Sequence, residues 1–361
     1  MIDTPGAVAV EAIDEESPDR GVAAHYGDPM REQRLLATDV GLVDRSNRGI
    51  IAVPGEERAS WLHTLTTQHL ADIHAGQGSE LLVLSPHGHV EQHAVVAEDG
   101  TTTWLDTEPG ATAGLLKYLE MMRFFTKVDP RDATAEYAMF SLVGPNAVDA
   151  AAKIDESLGT LREPDAVAVP GAKFSAGAAP PRPTTIYDVR TLQGGGFARR
   201  TALGVDFLIP RDQFASTTAR VRDLGIAPAG LWAYEATRVA ARIPRLGWET
   251  DHRTIPAEVD LIAPAVHLDK GCYRGQETVA RVHHLGRPPR RLVLLHLDGI
   301  ATDQPPARGT EVTVDGRTVG FVGTAVRHHE LGAVALAVLK RNVADDATLQ
   351  VGESTAAIDQ P

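Results

Sequence analysis

One pattern occurs twice in this chain and limits what it can fold into: a short apolar strand, a tight Gly/Pro turn, and a helix with one apolar face. The first copy, GIIAVPGEERASWLHTLTTQHL, has a β-branched strand at residues 50–53 and a helix whose Ala59, Leu62 and Leu65 share a face. The second, MFSLVGPNAVDAAAKI, follows about 90 residues later and should turn Val148, Ala151 and Ala152 inward. A strand and a helix that each hide one apolar surface cover one another best, so two copies predict two related α+β layers. Between them, residues 81–84, 90–96 and 101–105 are apolar runs bounded by Pro-His-Gly and Glu-Asp-Gly, which predicts an antiparallel meander. GATAGLLKYLEMMRFF then reads as a helix, and a Pro/Gly/Ala-rich loop fills 170–185. After GRPPRR, short strands at 291–297, 311–314, 318–326 and 334–339 alternate with Gly and Asp turns, the signature of a small antiparallel barrel.

The expected class is therefore α+β with a C-terminal β-barrel. Residues 1–29 lack periodicity and read as a mobile arm; 30–135 form a first layer, completed by about 232–287; 136–231 form a second layer; 288–361 form the barrel. With 361 residues, 43% hydrophobic and 23% charged, the chain can bury a large core. A net charge of −13 argues against a surface built for nucleic acid or anionic lipid, while leaving room for a local basic pocket. One cysteine excludes an internal disulfide, the N-terminal stretch is acidic without an apolar core, and no apolar run approaches the roughly 18 residues of a membrane span. The expectation from these features is a cytoplasmic chain with no membrane and no direct nucleic-acid partner.

The single cysteine lies in LDKGCYRGQETVARVHH, residues 268–284. Cys272 has Lys270, Arg274 and Arg281 near it in sequence and glycine on both sides, an arrangement that favours thiolate and close approach of a ligand. The competing reading is a small buried hydrophobe in a tight loop. A helix should open after Gly275, placing Gln276 and Glu277 in its first turn, where free N–H groups can hold an anion or where Glu277 stabilises its own helix and pairs with Arg281. His87, His89 and His93 flank a hairpin, but their spacing matches no zinc signature, so no metal is expected. The chain has no G-x-x-x-x-G-K-[ST] and no G-x-S-x-G, which removes support for P-loop phosphoryl transfer and α/β-hydrolase chemistry.

KGCYRGQE, residues 270–277, resembles the K-G-C-Y-x-G-Q-E signature of YgfZ-type folate-binding proteins, relatives of the glycine-cleavage T protein, an aminomethyltransferase. VGLVDRSNRGIIAVPGEERASWLHTL, LWAYEATRVAARIPRLGWETDHRTIPAE, GTEVTVDGRTVGFVGTAV and GAVALAVLK extend the resemblance over roughly residues 30–352. It implies an aminomethyltransferase-like fold, two ferredoxin-like α+β layers and a barrel around a central channel that takes tetrahydrofolate. It further implies a role in assembly or repair of iron-sulfur cluster proteins, with an influence on tRNA modification through such clients. Cys272 would be the functional thiol, Lys270, Tyr273 and Gln276 its support, and Arg238 would face the folate. This sequence departs from the aminomethyltransferases in carrying Glu91-Gln92 where they have an aspartate pair, and Ala202, with Asp206 nearby, where they have a pterin-binding glutamate. RVAAR likewise stands for R-x-E-A-G.

A folate needs an apolar slot, a few fixed polar groups and a cation near the mouth. Arg238, Arg274 and Arg281 are candidates for that cation, and Glu91 or Glu277 for the pterin's amino edge. The leading expectation is a tetrahydrofolate-binding accessory protein with iron-sulfur clients. The alternatives are a folate-dependent one-carbon transferase or demethylase, and a non-catalytic client-docking scaffold.

Overall fold

The computed structural model describes residues 1–164, 186–298 and 305–360; the loop expected at 170–185 lies outside them. The first 28 residues are not the mobile arm expected from composition. They form an antiparallel pair, β1 (Val8–Ala9) and β2 (Ala23–His25), and bury Val22 and Ala24 completely. Asp19 meets Arg245 at 2.9 Å and the Met1 ammonium meets Asp44 at 2.8 Å, so the anchoring is ionic as well as apolar. Aperiodic spacing concealed this because the contacts are to residues far along the chain. Helix α1 (Pro29–Thr38) starts on Asp28, whose carboxylate accepts the Arg31 N–H, with Pro29 at the first position.

The repeated pattern is present. After β3 (Gly41–Asp44), β4 (Gly49–Pro54) turns through Gly55 into α2 (Arg58–Leu65). A meander follows, β5 (Gln77–Leu84), β6 (Val90–Glu98) and β7 (Thr102–Thr107), then α3 (Thr112–Met121) and the short β8 (Arg131–Asp132). The second copy is β9 (Tyr137–Val143), Gly144 and α4 (Ala147–Ile154). Gly55 and Gly144 are geometric twins: φ is 125° and 127°, and a Cβ on either would fall 2.2 Å from a backbone oxygen. Only glycine fits both demands. The buried face of α4 is Ala147, Ala150 and Ala151, a shift from the expected Val148 and Ala152, which are partly exposed.

β10 (Tyr187–Thr191), β11 (Phe197–Arg200) and β12 (Gly204–Pro210) complete a second antiparallel set, followed by α5 (Phe214–Asp223) and β13 (Pro228–Ala229). All these strands join one eleven-stranded sheet, ordered β13-β3-β9-β12-β11-β10-β5-β6-β7-β4-β8. β3, expected in the first layer, pairs with β9 and so belongs to the second half, whose core stacks Phe140 on Phe207 at 4.6 Å. The halves meet at a short seam, β10 against β5, where Tyr187 pairs with Gly78 and Asp188 with Gln77.

From β13 the chain passes through α6 (Leu231–Ala240), α7 (Ile262–Ala265) and α8 (Gln276–Leu285). β14 (Arg290–Asp298), β15 (Glu311–Val314), β16 (Arg317–His328), β17 (Gly332–Lys340), β18 (Leu349–Val351) and β19 (Ser354–Ile358) close a six-stranded barrel. Among the described residues, no helix is long and apolar enough to cross a membrane.

Candidate functional site

A cavity of about 120 Å³ opens where the two halves of the sheet join, walled by residues of both halves and of α6. Its wall is ionic. Arg48 donates to Asp106 at 2.9 Å and to Glu108 at 2.5 Å; Arg199 bridges Asp106 and Asp206 at 2.6 and 2.9 Å; Arg245 reaches Glu108 at 2.8 Å. Charges this deep persist only when paired. Burial alone would raise the Asp106 and Glu108 carboxyls, yet the neighbouring arginines hold both below the usual carboxylate range. The Arg199 Nε and Nη1 have no hydrogen-bond partner, and its guanidinium lies 5.7 and 6.0 Å from the Phe197 and Tyr187 rings.

Beside this network, three strands supply a separate polar chain. The Tyr187 hydroxyl on β10 donates to Glu80 on β5, and His93 on β6 meets the other Glu80 oxygen at 2.7 Å. The register that pairs Leu82 with His93 and Tyr187 with Gly78 brings them together.

The KGCYRGQE segment is elsewhere. Cys272 is exposed, which decides against the buried-hydrophobe reading. None of residues 270–277 lines the cavity, and neither do Glu91 and Arg281. The Lys270 ammonium, expected to support the thiol, instead takes the carbonyls of His63, Thr66 and Gln68 at the end of α2, the last at 3.0 Å. Burial pulls its pKa down to about 8. Tyr273 is buried among Leu82, Leu84 and Val279, and its hydroxyl is pushed up to about 12 by that burial. Gln276 donates to the Lys270 carbonyl at 3.2 Å and holds the loop closed. Arg274 is not a free mouth cation: it pairs with Glu91 at 3.1 Å on the surface. Among the described residues no ion pair joins Glu277 to Arg281, and both side chains are exposed.

Arg238 and Asp206 do reach the cavity. Arg238 is corrected from mouth cation to internal tie, since it is buried and donates to Glu235 at 2.7 Å and to Thr324 at 2.6 Å. Asp206 accepts from Ser141 at 2.6 Å as well as from Arg199. The three hairpin histidines part company: His87 and His89 stay near the turn, 6.1 Å apart, and His93 enters the cavity wall. Sequence reasoning missed Glu80, Asp106, Arg199 and Tyr187, whose charged or hydroxyl groups interrupt apolar strands and were the available signal.

The cavity and the signature loop share one sheet surface. Leu82, which pairs with His93 across β5 and β6, packs with Leu84, Val90 and the loop's Tyr273, while Glu91 is the extra residue of a β-bulge between Val90 and Gln92.

Residues 15–162 match the GCVT N-terminal domain and residues 290–361 the CAF17 C-terminal beta-barrel domain. Among solved structures, the aminomethyltransferase T of the glycine cleavage system from Bartonella henselae is similar with a TM-score of 0.81 at 17% identity, over 100% of this chain and 94% of that one. The fold is thus the aminomethyltransferase fold. More particularly, residues 15–162 are GCVT-like and the C-terminal barrel is of the CAF17/YgfZ type. It is 26% identical over 338 residues to a chloroplastic protein of Arabidopsis thaliana named provisionally as a transferase, covering 91% of this chain and 72% of that one. It is also 27% identical over 327 residues to the aminomethyltransferase of Geobacillus kaustophilus, covering 87% and 82%.

Proposed function

We propose that the protein is a cytoplasmic reduced-folate-binding accessory factor for iron-sulfur cluster proteins, with Cys272 as its client-facing thiol. The observation that carries the folate part is the polar cavity at the junction of the two α+β halves in an aminomethyltransferase fold. Sites that enclose a drug-sized ligand span roughly 300–1,000 Å³. A cavity of about 120 Å³ suits one ring system, so the pterin would sit inside and the p-aminobenzoyl-glutamate tail would stay in the opening. Reduced folate, when bound, carries one-carbon units. Of the lining residues His93 is the one suited to hold the ring, since the unpartnered Arg199 nitrogens are sealed within the wall.

The accessory reading is favoured over a one-carbon transferase by Glu91. The carboxylate that would have to position the reacting nitrogen is outside the cavity and neutralised by Arg274. Cys272 is exposed, as exchange with a client's cluster or thiol requires.

Tetrahydrofolate or its 5-formyl or 5-methyl derivative should raise the melting temperature, since a ligand at 100 times its Kd stabilises by about 2.7 kcal/mol. The Cys272→Ser variant should keep that shift yet fail to restore iron-sulfur enzyme activity in a deletion strain, whereas Glu91→Ala should restore it. No shift with any reduced folate defeats the folate reading; full restoration by Cys272→Ser defeats the thiol's role.

A further inference from the structure

His93 stands apart from the other charged or polar groups of the cavity wall. The carboxylates of Asp106, Glu108 and Asp206 are each engaged by arginine, and those arginines are engaged in return. His93 has a single partner, Glu80, on Nε2; its Nδ1 has none, and that nitrogen is not among the side-chain atoms sealed from solvent. Glu80 is fixed from its other side by the Tyr187 hydroxyl. Burial works against the Glu80 charge, but the His93 and Tyr187 hydrogen bonds and Arg199 hold its pKa below the ordinary value. A buried carboxylate bonded to one ring nitrogen fixes the proton on that nitrogen and leaves the other with its lone pair.

We propose that His93 is the ligand-facing base of the central cavity: Nε2–H is held by Glu80, and the Nδ1 lone pair accepts an N–H from the ring of the bound molecule. The ligand class is a heteroaromatic ring with a lactam or amino N–H, and identifying that ring as a pterin rests on the folate reading above. Glu80 on β5 meets this imidazole directly, and the other titratable or charged groups that line the cavity with it include Tyr187 on β10, Asp106 on β7, Arg199 on β11, Arg48 and Glu108. On its own strand, Glu91 is tied to Arg274. None of them offers Nδ1 a competing donor within hydrogen-bond distance.

Protonation at Nδ1 converts the acceptor into a donor and removes the bond. Binding therefore selects the neutral imidazole. Acidification that protonates Nδ1 should weaken binding, with a proton released for each ligand then bound.

Calorimetric titration of the full chain with 5-formyltetrahydrofolate, between pH 5 and 8 and in two buffers of different ionisation enthalpy, reads both quantities. Wild type should show the slope and the proton release. His93→Gln should bind about tenfold more weakly at pH 7.5 and lose both. Wild-type binding that is flat with pH, or a slope that survives in His93→Gln, overturns the role of His93 while leaving folate binding intact; no wild-type binding defeats both. Imidazole ¹⁵N spectra of the apo protein give an independent reading: Nε2–H with a bare Nδ1 supports the assignment, and Nδ1–H overturns it whatever the folate result.

Discussion

Lys270 carries its charge into the end of a helix and away from the thiol two residues on. Three carbonyls from the α2 terminus and the loop after it converge on its ammonium, the helix end where cations are most favourable. Lys270→Met would keep the stem's packing and orphan those carbonyls, which should lower unfolding free energy by about 3 kcal/mol in urea titration. The reactivity of Cys272 toward a thiol reagent should change little; a large fall would restore the lysine to the role the signature suggested. The motif singled this residue out as support for the thiol. Its task was illegible because the carbonyls come from residues 63–68, about 200 positions upstream, and sequence adjacency to Cys272 pointed the other way.

The hairpin turn after β5 and the start of α8 approach so closely that each uses a glycine. Gly275 has φ of 82°, and a Cβ there would sit 2.7 Å from the Ser85 oxygen and 2.9 Å from the Gly88 Cα; one on Gly88 would strike Thr278 at 2.6 Å. Gly275→Ala should therefore cost about 1–3 kcal/mol through backbone strain and overpacking, read as a lower urea midpoint at unchanged m-value. At this scale the sequence was most readable. Both strand–turn–helix units, the meander, α8 and four barrel strands show in the period of their apolar residues. β18 (LQV) and β19 (STAAI) are too short and mixed to carry a period, and the two-residue β8 and β13 exist only because a neighbouring strand is there to pair with. The placement of β3 in the second half is a matter of tertiary pairing that no local pattern encodes.

One of the joints between the barrel and the rest is a buried carboxylate. Glu249, fully buried, accepts the Thr324 N–H at 2.8 Å, the Thr324 hydroxyl at 2.6 Å and the Arg245 N–H at 2.7 Å, and lies 3.4 Å from Arg238. Gly323 leaves it room, since a Cβ there would be 2.6 Å away. Glu249→Ala leaves these buried donors without their acceptor and should cost about 3 kcal/mol in chemical denaturation; a loss under about 1 kcal/mol would show that this carboxylate contributes little to holding the barrel. Neither this joint nor the cavity was readable beforehand, because each assembles side chains from separate segments, 75 positions apart for Glu249 and Thr324 and 226 for Asp19 and Arg245. The same holds for the start of the chain, whose Asp19 grips Arg245 and lines the cavity. A laboratory that trimmed those opening residues as dispensable would be handling a protein with a breached cavity wall, and a ligand assay that failed on it would say nothing about the intact molecule.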